Sequence, residues 1–153
     1  MNFSETDFIG KWLGISAHRM SNLITRMLHV HGFGLTHEQL ILLKAISCTE
    51  GISQKDLAIK LDRDKTSIAR SVDTLEKKHK VVRINVAGDK RVNNLYLTKE
   101  GNQLLEEIYP LFNQLTIDLT KEFSNEEIKI LRCSLQKLIQ NINNIEIQLH
   151  TQQ

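Results

Sequence analysis

Between Asp64 and Leu97 the apolar pattern changes period once, and that change restricts the fold more than any other feature. In "DKTSIARSVDTLEKK" (64–78) the apolar residues Ile68, Val72 and Leu75 fall at i, i+4 and i+7, one stripe of a helix. Thr66, Arg70, Asp73 and Lys77 lie roughly opposite. After Lys80 the spacing becomes two. Val82, Ile84 and Val86 alternate with Arg83 and Asn85, which is strand patterning. "AGDKR" reads as a turn and "VNNLYL" as the returning strand of a hairpin.

The flanks are helical. Phe8, Ile9, Trp12, Leu13, Met20, Leu23, Ile24, Met27 and Leu28 share helical spacing over residues 5–30, and "HGFG" (31–34) breaks it. Thr36 with Gln39 fits a capping box for a second helix, to about Cys48. "EGIS" (50–53) reads as a turn. Ser53 with Asp56 opens a short helix ending near Leu61, and Asp64 caps the next. Thr98 caps a long helix carrying Leu104, Leu105, Ile108, Phe112, Leu115 and Leu119. Pro110 inside it predicts a kink or a new segment. "SNEE" (124–127) is another capping box, before a last helix with Leu131, Leu135, Leu138, Ile142, Ile145 and Leu149. The expected fold is mainly α with a small β-hairpin wing: a helix-turn-helix with its wing, plus long outer helices.

Charge separates along the chain. The net charge is +2 over 153 residues. From Gln54 to Arg91 there are eleven Lys+Arg against six Asp+Glu, a local +5; the rest has nine against twelve, or −3. A basic segment between acidic flanks is the footprint of a nucleic-acid-binding module. In a helix-turn-helix the second helix lies in the major groove with its N-terminal residues at the base edges. Lys65, Thr66, Ser67 and Arg70 are the right types there, since hydroxyls serve phosphate or base and Arg commonly reads guanine. Ser53 and Gln54, opening the preceding helix, are assigned to the same interface. Gly88 permits a tight wing tip, from which Lys90 and Arg91 project.

With 41% hydrophobic and 25% charged residues the composition is globular. Apolar runs such as Leu40–Leu43 are far short of the ~20 residues a membrane span needs. The N-terminus has early acids and no apolar core of an export signal. Cys48 and Cys133 make no disulfide framework, which suits a reducing cytosol. No phosphate loop, metalloprotease His pair or nucleophile elbow occurs, so neither enzyme activity, cofactor nor metal is expected. His29, His31 and His37, with Glu38, cluster in sequence; loop histidines are the simpler reading and a metal sensor the alternative. Cys48 and Cys133 read as small hydrophobes, with redox sensing as the alternative.

The chain resembles the MarR (multiple antibiotic resistance regulator) family. "LTHEQLILLKAIS" is similar to that family's second helix and "ISQKDLAIKLDRDKTSIARSVDTLEKK" to its helix-turn-helix. Asp89, Arg91, Leu97, Thr98 and Gly101 reproduce its wing pattern. The resemblance runs from about residue 8 to 148. His79 departs from it, standing where the family commonly has a glycine that ends the recognition helix.

The resemblance implies one MarR-like domain over 1–153, with a winged lobe at 36–98 and dimerisation helices at 5–31 and 99–149. It implies an obligate homodimer on a pseudo-palindromic double-stranded DNA operator, usually repressing and often released by a small-molecule effector, in the cytoplasm. Arg91 would approach the minor groove and Asp89 would hold it. Trp12 and Met27 are candidates for an effector pocket, dimer core being the alternative. The rival functions are a metal- or oxidant-responsive regulator of the same fold and a dimeric interaction protein without DNA binding. The second loses ground because the wing keeps its basic residues.

Overall fold

The computed structural model describes residues 9–86 and 89–151, with the side chains of 86–92 and of His150 left out of the description. The chain divides into two compact units, 1–109 and 110–153. The order is α1 (Ile9–Val30), α2 (His37–Cys48), β1 (Ile52–Ser53), α3 (Gln54–Lys60), α4 (Lys65–Lys77), β2 (Val81–Val86), β3 (Asp89–Leu97), α5 (Lys99–Thr120) and α6 (Asn125–Thr151).

The helix starts follow from side-chain caps. Thr36 accepts from the Gln39 amide while the Gln39 side chain accepts from the Thr36 amide, the reciprocal box the spacing predicts. Ser53 accepts from the Asp56 amide, Asp64 from that of Ser67, and Ser124 from that of Glu127. Glu127 answers by accepting from Ser124, and these hydrogen bonds hold its carboxyl below the usual range. α5 runs through Pro110 without interruption.

Two helices end in a left-handed residue that is not glycine. Asp62 (φ 50°) closes α3 and His79 (φ 55°) closes α4. At α4 the His79 amide donates to the Glu76 carbonyl and the Lys80 amide to that of Leu75, both at 2.9 Å. That is the paired closure usually built on glycine, and a side chain there is strained.

One strand differs from the expectation. Within "EGIS", read as a turn, Ile52–Ser53 forms β1 and pairs antiparallel with β3, Ile52 opposite Leu95 and Ser53 opposite Asn94. The sheet order is β1-β3-β2. β3 starts at Asp89, so Asp89, Lys90 and Arg91 are strand backbone and not turn as expected. The β2–β3 register is irregular between Asn85 and Val86. Gly88 lies outside the described residues.

The core of the first unit joins Leu28 of α1, Leu43 and Ile46 of α2, Leu57 of α3, Val72 and Leu75 of α4, and Val81 and Leu95 of the sheet, all buried. On the helices these are positions of the apolar stripe, so its burial drives assembly of the lobe. In the second unit no described side chain is buried. α6 carries apolar residues at 128, 131, 135, 138, 142, 145 and 149, alternating steps of three and four, the spacing of a coiled-coil seam. No helix among the described residues is long and apolar enough to cross a membrane.

Candidate nucleic-acid interface

α3 and α4 follow one another through the turn at Asp62–Arg63, with α4 packed on α2, α3 and β2. Burial of Ile68, Val72 and Leu75 fixes the roll of α4. The opposite face is therefore presented outward, and Lys65, Thr66 and Arg70 on its first two turns are exposed. Ser67 is half-buried, and its amide is taken by the Asp64 cap at 2.7 Å. The remaining free amides at this helix start make a site for an anionic oxygen. Lys65, Thr66, Ser67 and Arg70 thus come together on one end of one helix.

Ser53 and Gln54 are placed differently. The Ser53 hydroxyl donates to Asp56 Oδ2 at 2.7 Å while accepting from its amide, so it is committed to capping α3. The Gln54 amide nitrogen is buried and has no hydrogen-bond partner among the described residues. Asp89, Lys90 and Arg91 lie on β3, and their side chains are outside the described residues.

Arg83 was missed by the sequence reading. It points from β2 toward α4, where Nη2 donates to Asp73 Oδ1 and Nη1 to Glu76 Oε2. A signal was available: a lone arginine between apolar strand positions, with acids three apart on the preceding helix. Lys78, just past α4, donates to the Gly34 carbonyl at 2.6 Å and ties that helix end to the α1–α2 connection.

A family model described as the MarR family matches residues 35–92. An uncharacterized HTH-type transcriptional regulator of Bacillus subtilis, YdgJ, is 30% identical over 113 residues, covering 74% of this chain and 69% of that protein. The chain belongs to the MarR family. Its structure is similar to that of an S. aureus MepR–DNA complex, with TM-score 0.80 and 25% identity over 88% of this chain and 98% of that one. It is also similar to a mutant of E. coli MarR complexed with operator DNA, with TM-score 0.81 and 27% identity over 90% and 98%.

The MarR wing pattern has a structural reason here. Thr98 donates to the His79 carbonyl at 2.6 Å and accepts from the Gly101 amide, so one hydroxyl caps α5 and fastens it to the end of α4. A Cβ at Gly101 would lie 2.1 Å from the Lys80 carbonyl oxygen, so a side chain cannot be accommodated without moving backbone. His79 adopts the left-handed conformation that glycine favours, so α4 ends in the paired closure despite carrying a side chain there.

The remaining candidates are dispersed. Trp12 and Met27 sit fifteen residues apart on α1, about 22 Å along the axis at 1.5 Å per residue. One helix does not bring them together. A cleft of about 90 Å³ against α4 is bounded by Glu38, Ile41, Leu61, Arg63, Ser67 and Ser71. It is small beside the ~300 Å³ and more of a typical ligand site. His31 Nδ1 is 2.9 Å from the Met27 carbonyl, and its ring stacks on Phe33. His37 Nδ1 is 3.1 Å from Ser21 Oγ, and its backbone amide donates to Thr25 Oγ1. Burial lowers the His37 pKa, with Glu38 opposing. Among the described residues no three His, Cys, Asp or Glu are grouped to hold a metal ion. Cys48 and Cys133 are both exposed free thiols, against the reading of small buried hydrophobes: Cys48 ends α2 and Cys133 lies on α6, which buries nothing.

Proposed function

We propose that this MarR-family chain is a cytoplasmic, homodimeric transcriptional repressor that binds a pseudo-palindromic DNA operator and is released by a small-molecule effector. The observation that carries the DNA reading is the exposed, capped start of α4. Its inner stripe is fully used in the core, and Lys65, Thr66, Ser67 and Arg70 stand together on its first two turns. A helix presented this way fits the major groove. Arg91 on β3 is the wing contact, with Asp89 and Lys90 beside it. The similar MepR and MarR structures, each in complex with DNA, support the same use of the fold. Ser53, committed to capping α3, and Gln54 are the secondary contacts of this interface.

The second copy is supported by α6. Its seven-residue apolar repeat has no partner among the described residues, and a repeat of that kind is completed by another helix. The chain's own α1, α5 and α6 are the proposed dimer-forming helices. The effector rests on the family resemblance, with Trp12 and Met27 as pocket candidates. No catalytic step is assigned.

The test is a mobility shift with the DNA upstream of the protein's own gene over a salt series. Saturable binding to one inverted repeat is expected. For 6 to 8 phosphate contacts, log K against log salt should slope at roughly −5 to −7. Absence of binding at low salt would contradict the proposal.

A further inference from the structure

Past the buried Val81, β2 turns its apolar residues outward. Val82 and Ile84 face solvent, Ile84 being 51% exposed, while Arg83 between them faces α4 with its side chain 19% exposed. Turning apolar residues out and a cation in is unfavourable unless the cation is fully paired. Arg83 is paired twice, to Asp73 and Glu76, which lie three apart on α4 and so share a face one turn apart. A planar fork can reach two diverging carboxylates at once; an ammonium on a flexible stem cannot hold that geometry. On the neighbouring strand Arg83 is opposite Leu95, which is buried. The guanidinium therefore joins the middle of the wing's first strand to the C-terminal half of α4. Arg70 lies three residues before Asp73 on one arm, and Arg91 eight residues beyond Arg83 on the other.

β1 supports the hairpin only at its base, opposite Leu95 and Asn94; beyond that it is two-stranded and only marginally stable by itself, so its direction must come from what its base is fastened to. Two DNA-contacting elements help one another only when both can reach their grooves in one rigid geometry. We propose that Arg83 is a positioning residue for DNA binding: it touches no DNA and sets the angle between wing and α4 so that both engage one site. This rests on the DNA-binding reading above.

Three variants separate this role from its competitors. Arg83→Met removes the clamp and the charge. Arg83→Lys keeps the charge without the fork. Asp73→Asn with Glu76→Gln removes the acids and leaves the arginine. Affinity is measured by fluorescence anisotropy, on a duplex that the wild-type protein recovers from a random-sequence pool. All three should bind more weakly by on the order of tenfold to a hundredfold, with the unfolding midpoint of Arg83→Lys near wild type and that of the double variant lowered, because it leaves the inward cation without its carboxylates. The double variant is decisive, since removing two negative charges beside DNA strengthens binding if those acids only repel phosphate. Hydroxyl-radical cleavage of bound DNA should show the outer, wing-dependent protections lost and the central ones kept. Wild-type affinity in Arg83→Lys, or affinity at or above wild type in the double variant, would overturn the inference. Failure of the wild-type protein to recover any duplex would overturn the DNA-binding reading itself, and the inference with it.

Discussion

Helices α4 and α6 are both amphipathic, and the chain treats them oppositely. The stripe of α4 (Ile68, Val72, Leu75) is at most 3% exposed, covered by α2, α3 and the sheet. The stripe of α6 carries Leu131, Leu135, Ile142, Ile145 and Leu149 at 37–59% exposure. Periodicity thus reports which residues need burial and leaves open what buries them. For α4 the answer is local, and the helix can turn its polar face to an outside ligand. For α6 the described residues leave the stripe exposed, and the proposed occupant is a second copy.

The largest effect should come from spoiling α6. Leu135→Lys with Ile142→Lys places four charges in a two-fold interface, a penalty on the order of 5 kcal/mol or more in dimer free energy. Sedimentation should show monomers whose near-ultraviolet circular dichroism is little changed, because the lobe's core does not use these residues. Collapse of the lobe as well would erase the contrast between the two helices.

Gly101→Ala attacks the other side of the comparison. Its Cβ would meet the Lys80 carbonyl at 2.1 Å, so backbone must move where α5 is fastened to the end of α4. A loss of about 3 kcal/mol or more is expected in urea unfolding. A loss under about 1 kcal/mol would show that this junction is looser than described.

Much of this was legible in the sequence. Thr36, Ser53, Asp64, Thr98 and Ser124 mark helix starts because each cap is a local hydrogen bond, three residues deep. β1 was not legible: Ile52 joins a sheet through Leu95, forty-three residues later, and two residues carry no period. The inward turn of Arg83 was hidden for a related reason. Alternation divides β2 into two faces without saying which is inside, and here Val82 and Ile84 lie on the outer one, with Val81 and Arg83 on the inner. Of the expected DNA contacts, the α4 group is assembled by the helix itself. Ser53 was readable as a cap, and only the fold shows that the Gln54 amide nitrogen is buried.

His79→Gly sharpens the account of α4 in the stabilising direction. Relief of the left-handed strain, less the entropy glycine loses on folding, should raise stability by about 0.5–1 kcal/mol in thermal unfolding. A decrease would mean that the His79 side chain makes a contact worth more than the strain.

The smallest effect is a pH dependence. Burial holds the folded-state pKa of His37 below its ordinary 6.5, so the unfolded chain binds this proton more readily. The contribution to stability is complete above pH 6.5 and is lost as pH falls through the folded-state value. Unfolding of His37→Gln against wild type from pH 7.5 to 5 should show the wild type losing the extra increment on acidification. Parallel curves would remove His37 from the pH response.

The most direct test of the contrast between α4 and α6 is the mass of the protein in solution, free and on DNA, by light scattering at micromolar concentration. The account predicts two chains in the free protein and two chains on each duplex. A free protein of one chain, with α6 helical and its stripe exposed, would contradict it.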